Sequence, residues 1–159
     1  MTIAYIGLGS NMNSPVKQIK SAITSIEEII STKIIGVSSL YKSKPVGPQN
    51  QDDYINAVIK IETKLVPHQL LECLHDIEEK HGRIRKEHWG PRILDLDILI
   101  FGNKVMVDEK LTIPHPEIEN RSFVLAPLIE IDPDCIIPKK GLASDLLATI
   151  GKDNIVQIQ

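Results

Sequence analysis

"YINAVIKIET", residues 54–63, alternates without a break, with Ile55, Ala57, Ile59 and Ile61 on one side and Tyr54, Asn56 and Val58 on the other. Successive side chains of a strand point to opposite faces. The run is therefore a strand with an aliphatic face for the core and a second face that is available. What flanks it decides the fold. Upstream, "KIIGVSSLYK" (33–42) reads as another strand, joined to the first by the Pro- and Gly-bearing loop "SKPVGPQNQDD". Downstream, Pro67 opens a helix carrying Leu70, Leu71, Leu74 and Ile77, with Gly82 as its stop.

Working outward, "TIAYIGLG" (2–9) is apolar throughout, as in a strand buried on both faces. Ser14 and Pro15 offer an N-cap and a first helical residue, and Val16, Ile19, Ile23, Ile26, Ile29 and Ile30 recur at helical spacing, so 15–30 is expected to be an amphipathic helix. A strand over 93–101 completes the order βαββαβ, the ferredoxin-like arrangement of an α+β fold. The last third adds a short hairpin over 103–113 turning at Asp108-Glu109, a helix over 120–131 bent at Pro127, a short helix over 142–150 and a closing strand in "NIVQI". The expectation is a three-layer α-β-α architecture in one domain, residues 1–159, with no internal repeat or linker.

The formal net charge of -3 argues against a general nucleic-acid binder. Between Arg83 and Arg92, however, Arg83, Arg85, Lys86 and Arg92 face only Glu87. A compact basic loop on an acidic chain suits a small anionic ligand. Cys73 and Cys135 form no CxxC or CxxH spacing, so neither a zinc knuckle nor a disulfide framework is indicated. The start lacks a basic signal-peptide region, and no apolar run approaches the ~18–20 residues that span a bilayer. A cytoplasmic protein without membrane attachment or an obligate protein partner is expected.

Inside the strand 93–101 stand two carboxylates, Asp95 and Asp97. Two residues apart on a strand, they project together, and at roughly 6.5 Å they repel by roughly 2–3 kcal/mol at an effective dielectric of 20. A cation relieves that repulsion. Arg92 is one candidate, and a hard divalent ion is another, since Mg²⁺ favours one or two carboxylates plus substrate phosphates. An isolated DxD is also compatible with a solvent-facing pair on an edge strand. Its setting favours the metal, because the basic loop adjoins it and His81, His88 and Trp89 lie nearby. Cations for the outer oxygens of a polyphosphate beside carboxylates for its metal are the parts of a phosphoryl-transfer site.

No GxxxxGK[ST] is present, and "GLGSN" (7–11) departs from GxGxxG because residue 12 is Met. A Gly-Ser pair with a later DxD is also similar to nucleotidyltransferases, although there the two elements lie on neighbouring segments. Tyr54 and Asn56 share one strand face, a stacking ring beside an amide that both donates and accepts, which suits a planar heterocycle with an amide-like edge. Phe123 could close that sandwich from the other side.

With these residues in view, the chain closely resembles the 6-hydroxymethyl-7,8-dihydropterin pyrophosphokinase family of folate biosynthesis. The carriers are "YIGLGSNM", "SLYKSKPVGPQNQDDYINAV", "IEEKHGRIRKEHWGPRILDLDIL" and "IPHPEIENRSFVLAPL". The resemblance implies a Mg²⁺-dependent kinase that transfers the terminal pyrophosphoryl group of ATP to the pterin hydroxymethyl oxygen and releases AMP. It implies that Asp95 and Asp97 ligate two Mg²⁺ ions, that Arg83 and Arg92 contact phosphates, and that Trp89 belongs to a mobile loop over 83–92 that closes the site. For the pterin it implies Tyr54 and Phe123 as stacking rings, Asn56 as the edge-reading amide, Ser43 as a hydroxyl where relatives often carry Thr, and Pro45 and Val46 as backbone lining. For ATP it implies Leu71, His75, Glu78, Ile98, Lys110, Thr112, His115 and Arg121 beside the two arginines. Gly9 and Ser10 fall where a role in the turn competes with ligand contact. His88 replaces an arginine of some relatives, and Lys44 stands where proline or an acid is frequent. The alternatives to this enzyme are a DxD nucleotidyltransferase and a ferredoxin-like binding module without turnover.

Overall fold

The computed structural model describes residues 1–45, 51–82 and 93–159. In chain order its elements are β1 (Thr2–Ser10), α1 (Pro15–Glu27), β2 (Thr32–Val37), β3 (Tyr41–Ser43), β4 (Tyr54–Thr63), α2 (Pro67–Lys80) and β5 (Asp95–Phe101). After these come β6 (Met106–Val107), β7 (Thr112–Ile113), a single 3₁₀ turn (Ile118–Asn120), α3 (Ser122–Ile131), β8 (Ile136–Ile137), β9 (Gly141–Leu142), α4 (Ala143–Ile150) and β10 (Ile155–Gln157).

The main sheet is antiparallel throughout, in the order β10-β3-β4-β1-β5, with β2 also paired to β4. Here β2 meets the Ile59–Thr63 end of β4 and β3 meets Tyr54–Asn56. The strand expected over 33–42 is thus two strands. The break falls at Ser38, whose backbone N–H donates to the Val58 carbonyl at 3.0 Å while its hydroxyl accepts the Val58 N–H at 2.9 Å. A register shift between Ile34 and Gly36 adds a bulge just before it.

Two cores flank this sheet. On one face Ile6, Ile59 and Ile61 bury against Ile19 and Ile26 of α1 and Leu70 and Leu74 of α2. On the other, Tyr5, Val58 and Leu99 bury against Leu125 and Leu128 of α3 and Leu147 of α4. Truncating a fully buried leucine such as Leu125 to Ala costs about 2–5 kcal/mol. The three layers are those expected, but the second face of β4 is not generally available. Val58 is fully buried under α3, and the Tyr54–Asn56 end opens to a cavity.

Helix ends also differ from the sequence expectation. Helix α1 stops at Glu27, not residue 30, and Ile30 is exposed. Ser14 takes φ 63° and makes no side-chain cap; its carbonyl accepts the Gln18 N–H at 3.1 Å instead. The stop of α2 at Gly82 is as expected, with φ +84°. Strand β5 begins at Asp95, two residues late, and the β8–β9 ribbon was not foreseen. No helix among the described residues is long and apolar enough to cross a membrane.

The far end of α3 is tied to the sheet by polar groups. Glu130 accepts the Tyr41 hydroxyl at 2.6 Å and the Ser39 N–H and hydroxyl at 2.9 and 2.8 Å. The Tyr5 hydroxyl donates to Asp132. Burial and these carboxylate partners push both phenols well above their usual range. Helix α3 is therefore a fixed lid over the sheet, and it carries Phe123 at its other end.

Candidate active site

The strand register builds the floor of the site. Across the sheet, Asn56 pairs with Gly9 and Gly9 with Asp95; two residues along, Val58 pairs with Gly7 and Gly7 with Asp97. Paired residues share a face, so the side chains missing at Gly7 and Gly9 leave a trough between Tyr54 and Asn56 on one side and the two aspartates on the other. A Cβ at Gly9 would stand 3.5 Å from Asn56 Oδ1 and 3.7 Å from Tyr54 Cδ1, inside that trough. Helix α3 roofs it with Phe123 and Val124. The result is a cavity of about 430 Å³ whose walls also include Ser43, Lys44, His115 and Arg121.

Asn56 is oriented from below. Its Nδ2 donates to the Ser43 hydroxyl at 2.7 Å, and both residues are buried. That leaves Oδ1 on the Gly9 side as the acceptor turned toward the trough. The Arg121 guanidinium lies 5.6 Å from the centre of the Phe123 ring, within cation–π range.

A second cavity of about 310 Å³ lies beyond β5, between α2 and the β6–β7 hairpin. Leu71, His75 and Glu78 line it from the helix, Ile98 from the strand, and Lys110, Leu111 and Thr112 from the hairpin. Asp95, Asp97 and His115 line both cavities. Strand β5 is the edge of the main sheet among the described residues, and two of its outer backbone groups are covered. Glu78 Oε2 accepts the Leu96 N–H at 2.8 Å, and the His115 N–H donates to the Leu99 carbonyl at 2.9 Å. At its start, the buried Ser10 hydroxyl donates to the Ile93 carbonyl. The strand carrying the carboxylates is thus held on three sides.

His115 stands half-buried between the cavities, and desolvation, then the nearby Arg121 charge, push its pKa down to about 4 against the opposing pull of Asp95 and Glu117. It is neutral near pH 7, so its 3.9 Å approach to Asp97 Oδ2 is not an ion pair there. Its Nδ1 accepts the Glu117 N–H at 3.1 Å. The remaining proton is therefore on Nε2, the nitrogen on the Asp97 side.

Among the described residues no group of three or more His, Cys, Asp or Glu side chains could enclose a metal. The aspartates nevertheless fit Mg²⁺. Two half-buried oxygen donors share one strand face and open to both cavities, which leaves the other coordination positions to substrate oxygens and water.

The structure brings Ser43, Tyr54, Asn56 and Phe123 together around the first cavity, and Leu71, His75, Glu78, Ile98, Lys110, Thr112 and His115 around the second. Pro45 is buried just beyond Ser43. Arg121, grouped with ATP in the sequence, sits on the wall of the first cavity. Glu78 spends one oxygen on the β5 backbone. Val46, Arg83, Trp89 and Arg92, together with the loop motion expected over 83–92, lie outside the described residues. Sequence reasoning missed Gly7 and Gly9 as floor. The repeated Gly two apart on a strand was the available signal.

A family model described as 7,8-dihydro-6-hydroxymethylpterin-pyrophosphokinase (HPPK) matches residues 5–133. The chain belongs to this family. An HPPK relative from Haemophilus influenzae, named 2-amino-4-hydroxy-6-hydroxymethyldihydropteridine pyrophosphokinase, is 46% identical over 158 residues, 99% of each chain. A Bacillus subtilis relative of the same name is 42% identical over 129 residues, covering 81% of this chain and 77% of its own. Among solved structures, Plasmodium falciparum HPPK-DHPS wild type with pterin and p-hydroxybenzoate superposes with a TM-score of 0.77 at 17% identity. That match covers 99% of this chain and 45% of the other, so the chain spans about half of that longer protein. The ferredoxin-like fold expected of an HPPK domain is the one observed.

Proposed function

We propose that the chain catalyses transfer of the pyrophosphoryl group of ATP to the hydroxymethyl oxygen of 6-hydroxymethyl-7,8-dihydropterin, releasing AMP, as a step of folate biosynthesis. The observation that carries this reading is the sharing of Asp95 and Asp97 by two cavities of different character. One is a flat trough with ring and amide walls, suited to the pterin. The other runs from apolar Leu71, Ile98 and Leu111 to the same carboxylates, suited to a nucleotide whose phosphates end there.

In this reading Tyr54 and Phe123 stack the pterin, Asn56 Oδ1 accepts from its amide-like edge, and Ser43 keeps that amide from turning. The trough sets the hydroxymethyl arm toward the Asp95 end of the floor. Asp95 and Asp97 would hold two Mg²⁺ ions, which when bound neutralise phosphate charge and align the displacement. His115 presents a neutral Nε2–H on the phosphate side, and Arg121 adds a fixed positive charge. Arg83 and Arg92 are assigned to the phosphates, and Trp89 to closure, on the signature sequence alone. Most of the catalysis is then positioning and charge stabilisation rather than covalent chemistry.

The 159 residues act as one catalytic domain without nucleic acid or membrane. The free thiols of Cys73 and Cys135 favour a reducing cytoplasmic setting. The deciding experiment resolves the products formed from ATP, Mg²⁺ and 6-hydroxymethyl-7,8-dihydropterin. AMP in step with a pyrophosphorylated pterin is expected. Released pyrophosphate would point to nucleotidyl transfer, and binding without turnover to a non-catalytic module.

A further inference from the structure

Helix α2 turns one continuous stripe toward the nucleotide cavity. His68, Leu71, His75 and Glu78 recur at spacings of three and four, which places them on one helical face. The last three line the cavity, whereas His68 stands at the end of the stripe, in the first turn. Facing it across the cavity is the β6–β7 hairpin, which among the described residues forms a separate two-stranded sheet. Leu111 and Ile113 root that hairpin in the first core. Its polar tip is organised by Asp108.

Asp108 is bonded on both of its oxygens. Oδ1 accepts the backbone N–H groups of Lys110 and Leu111 at 2.8 and 2.9 Å, and the Asp108 N–H donates to the Leu111 carbonyl at 3.0 Å. Oδ2 meets His68 Nε2 at 2.7 Å. These bonds, the Lys110 N–H foremost, hold the carboxyl below its usual range, so it is ionised at neutral pH. One carboxylate therefore shapes the turn that presents Lys110, Leu111 and Thr112 to the cavity and fastens that turn to the opposite wall. An imidazole in the first turn of a helix meets the positive end of the helix dipole, and an anion placed against it offsets this.

We infer that His68 and Asp108 form a clamp across the nucleoside end of the second cavity, and that this clamp sets affinity for ATP. The inference rests on the assignment of that cavity to ATP, with the phosphates at Asp95 and Asp97. His68 is a positioning residue and touches no substrate. The clamp ties the wall that carries Leu71 to the hairpin that carries Leu111, the two apolar sides between which the nucleoside would lie. It is remote from the reacting phosphorus, so the effect belongs to nucleotide binding and not to turnover.

Two variants separate the clamp from the turn. His68→Ala removes only the clamp. Asp108→Asn keeps Oδ1 for the Lys110 and Leu111 N–H groups but removes the charge and the Oδ2 acceptor. Both side chains are partly exposed, so the expected weakening is about two- to fivefold, the range of an exposed polar contact. Titration calorimetry with Mg²⁺ and either ATP or inorganic tripolyphosphate should show ATP affinity falling by that factor in each variant. Tripolyphosphate, which lacks the nucleoside, should bind as it does to the unaltered protein. The double variant should lose no more than either single one, kcat should stay within about twofold, and the pterin KM should be unmoved. Unchanged ATP affinity in His68→Ala, or an equal loss for tripolyphosphate, overturns the clamp while leaving the assigned reaction intact. Failure of the unaltered protein to bind ATP overturns the assignment and the clamp together.

Discussion

Asn56 and Asp95 stand in one cross-strand row of the sheet with only Gly9 between them. Neighbouring strands are about 4.8 Å apart, so the amide and the carboxylate are separated by two such steps over a floor without a side chain. In the proposed reading the pair would bracket the ligand, one end reading its edge and the other holding the charge of the reaction.

Gly9 should accordingly tolerate a methyl group structurally but not functionally. The Cβ of Gly9→Ala would meet only ordinary contacts at 3.5–4.0 Å, so melting temperature should change little, while the raised floor increases the pterin KM by about tenfold. Gly7→Ala is different. Its Cβ would lie 3.3 Å from Leu99 Cδ2, which must give way, and stability should fall as well. Thermal melts and pterin titrations on both variants check this.

Ser43 acts through Asn56. In Ser43→Ala the buried Asn56 Nδ2 loses its 2.7 Å acceptor, which costs about 1–3 kcal/mol in urea unfolding and frees the amide to turn. The pterin KM should rise more than the ATP KM. Ser43→Thr, which retains the hydroxyl, should restore both properties; equal damage from the two variants would mean that packing, not the hydroxyl, orients Asn56.

Asp97→Asn keeps the shape of β5 and removes one anionic oxygen donor. We expect kcat to fall by about 10²–10³-fold, with half-maximal activity shifted to higher Mg²⁺. Stability without metal should not fall, because the like-charge repulsion with Asp95 is relieved. Turnover within twofold of the unaltered protein would remove Asp97 from the metal site.

The half-buried, neutral His115 makes the metal-free fold sensitive to acid. Its folded pKa, about 4, lies below the ordinary 6.5, so the unfolded chain takes up the proton first as pH drops. The stability associated with the neutral ring is present above about pH 6.5 and is lost progressively down to about pH 4. From pH 7.5 to 5 the loss is about 2 kcal/mol. His115→Gln should flatten that part of the curve. Urea unfolding of both proteins at the two pH values measures the difference, and parallel curves would show that His115 does not carry it.

Legibility in the sequence followed the range of the interaction. Asp95 with Asp97, and Tyr54 with Asn56, were readable because a strand's period of two fixes which side chains project together. The βαββαβ order was readable from periodicity and from Pro67 and Gly82. The spacing of Gly7 and Gly9 puts both on one strand face, but what they floor depends on the register of three strands distant in sequence. Ser38 splitting one strand into two depends on Val58, and the covering of β5 depends on Glu78 reaching Leu96. The end of α1 at Glu27 was hidden because Ile29 and Ile30 continue the helical spacing past the last turn.

The most direct measurement is a structure determined with Mg²⁺, a non-hydrolysable ATP analogue and 6-hydroxymethyl-7,8-dihydropterin bound together. The expected result is a pterin lying over Gly7 and Gly9 between Tyr54 and Phe123, metal ions held by Asp95 and Asp97, and a nucleotide held between α2 and the β6–β7 hairpin. A pterin bound outside that trough, or metals that leave both aspartates untouched, would contradict the assignment of these two cavities.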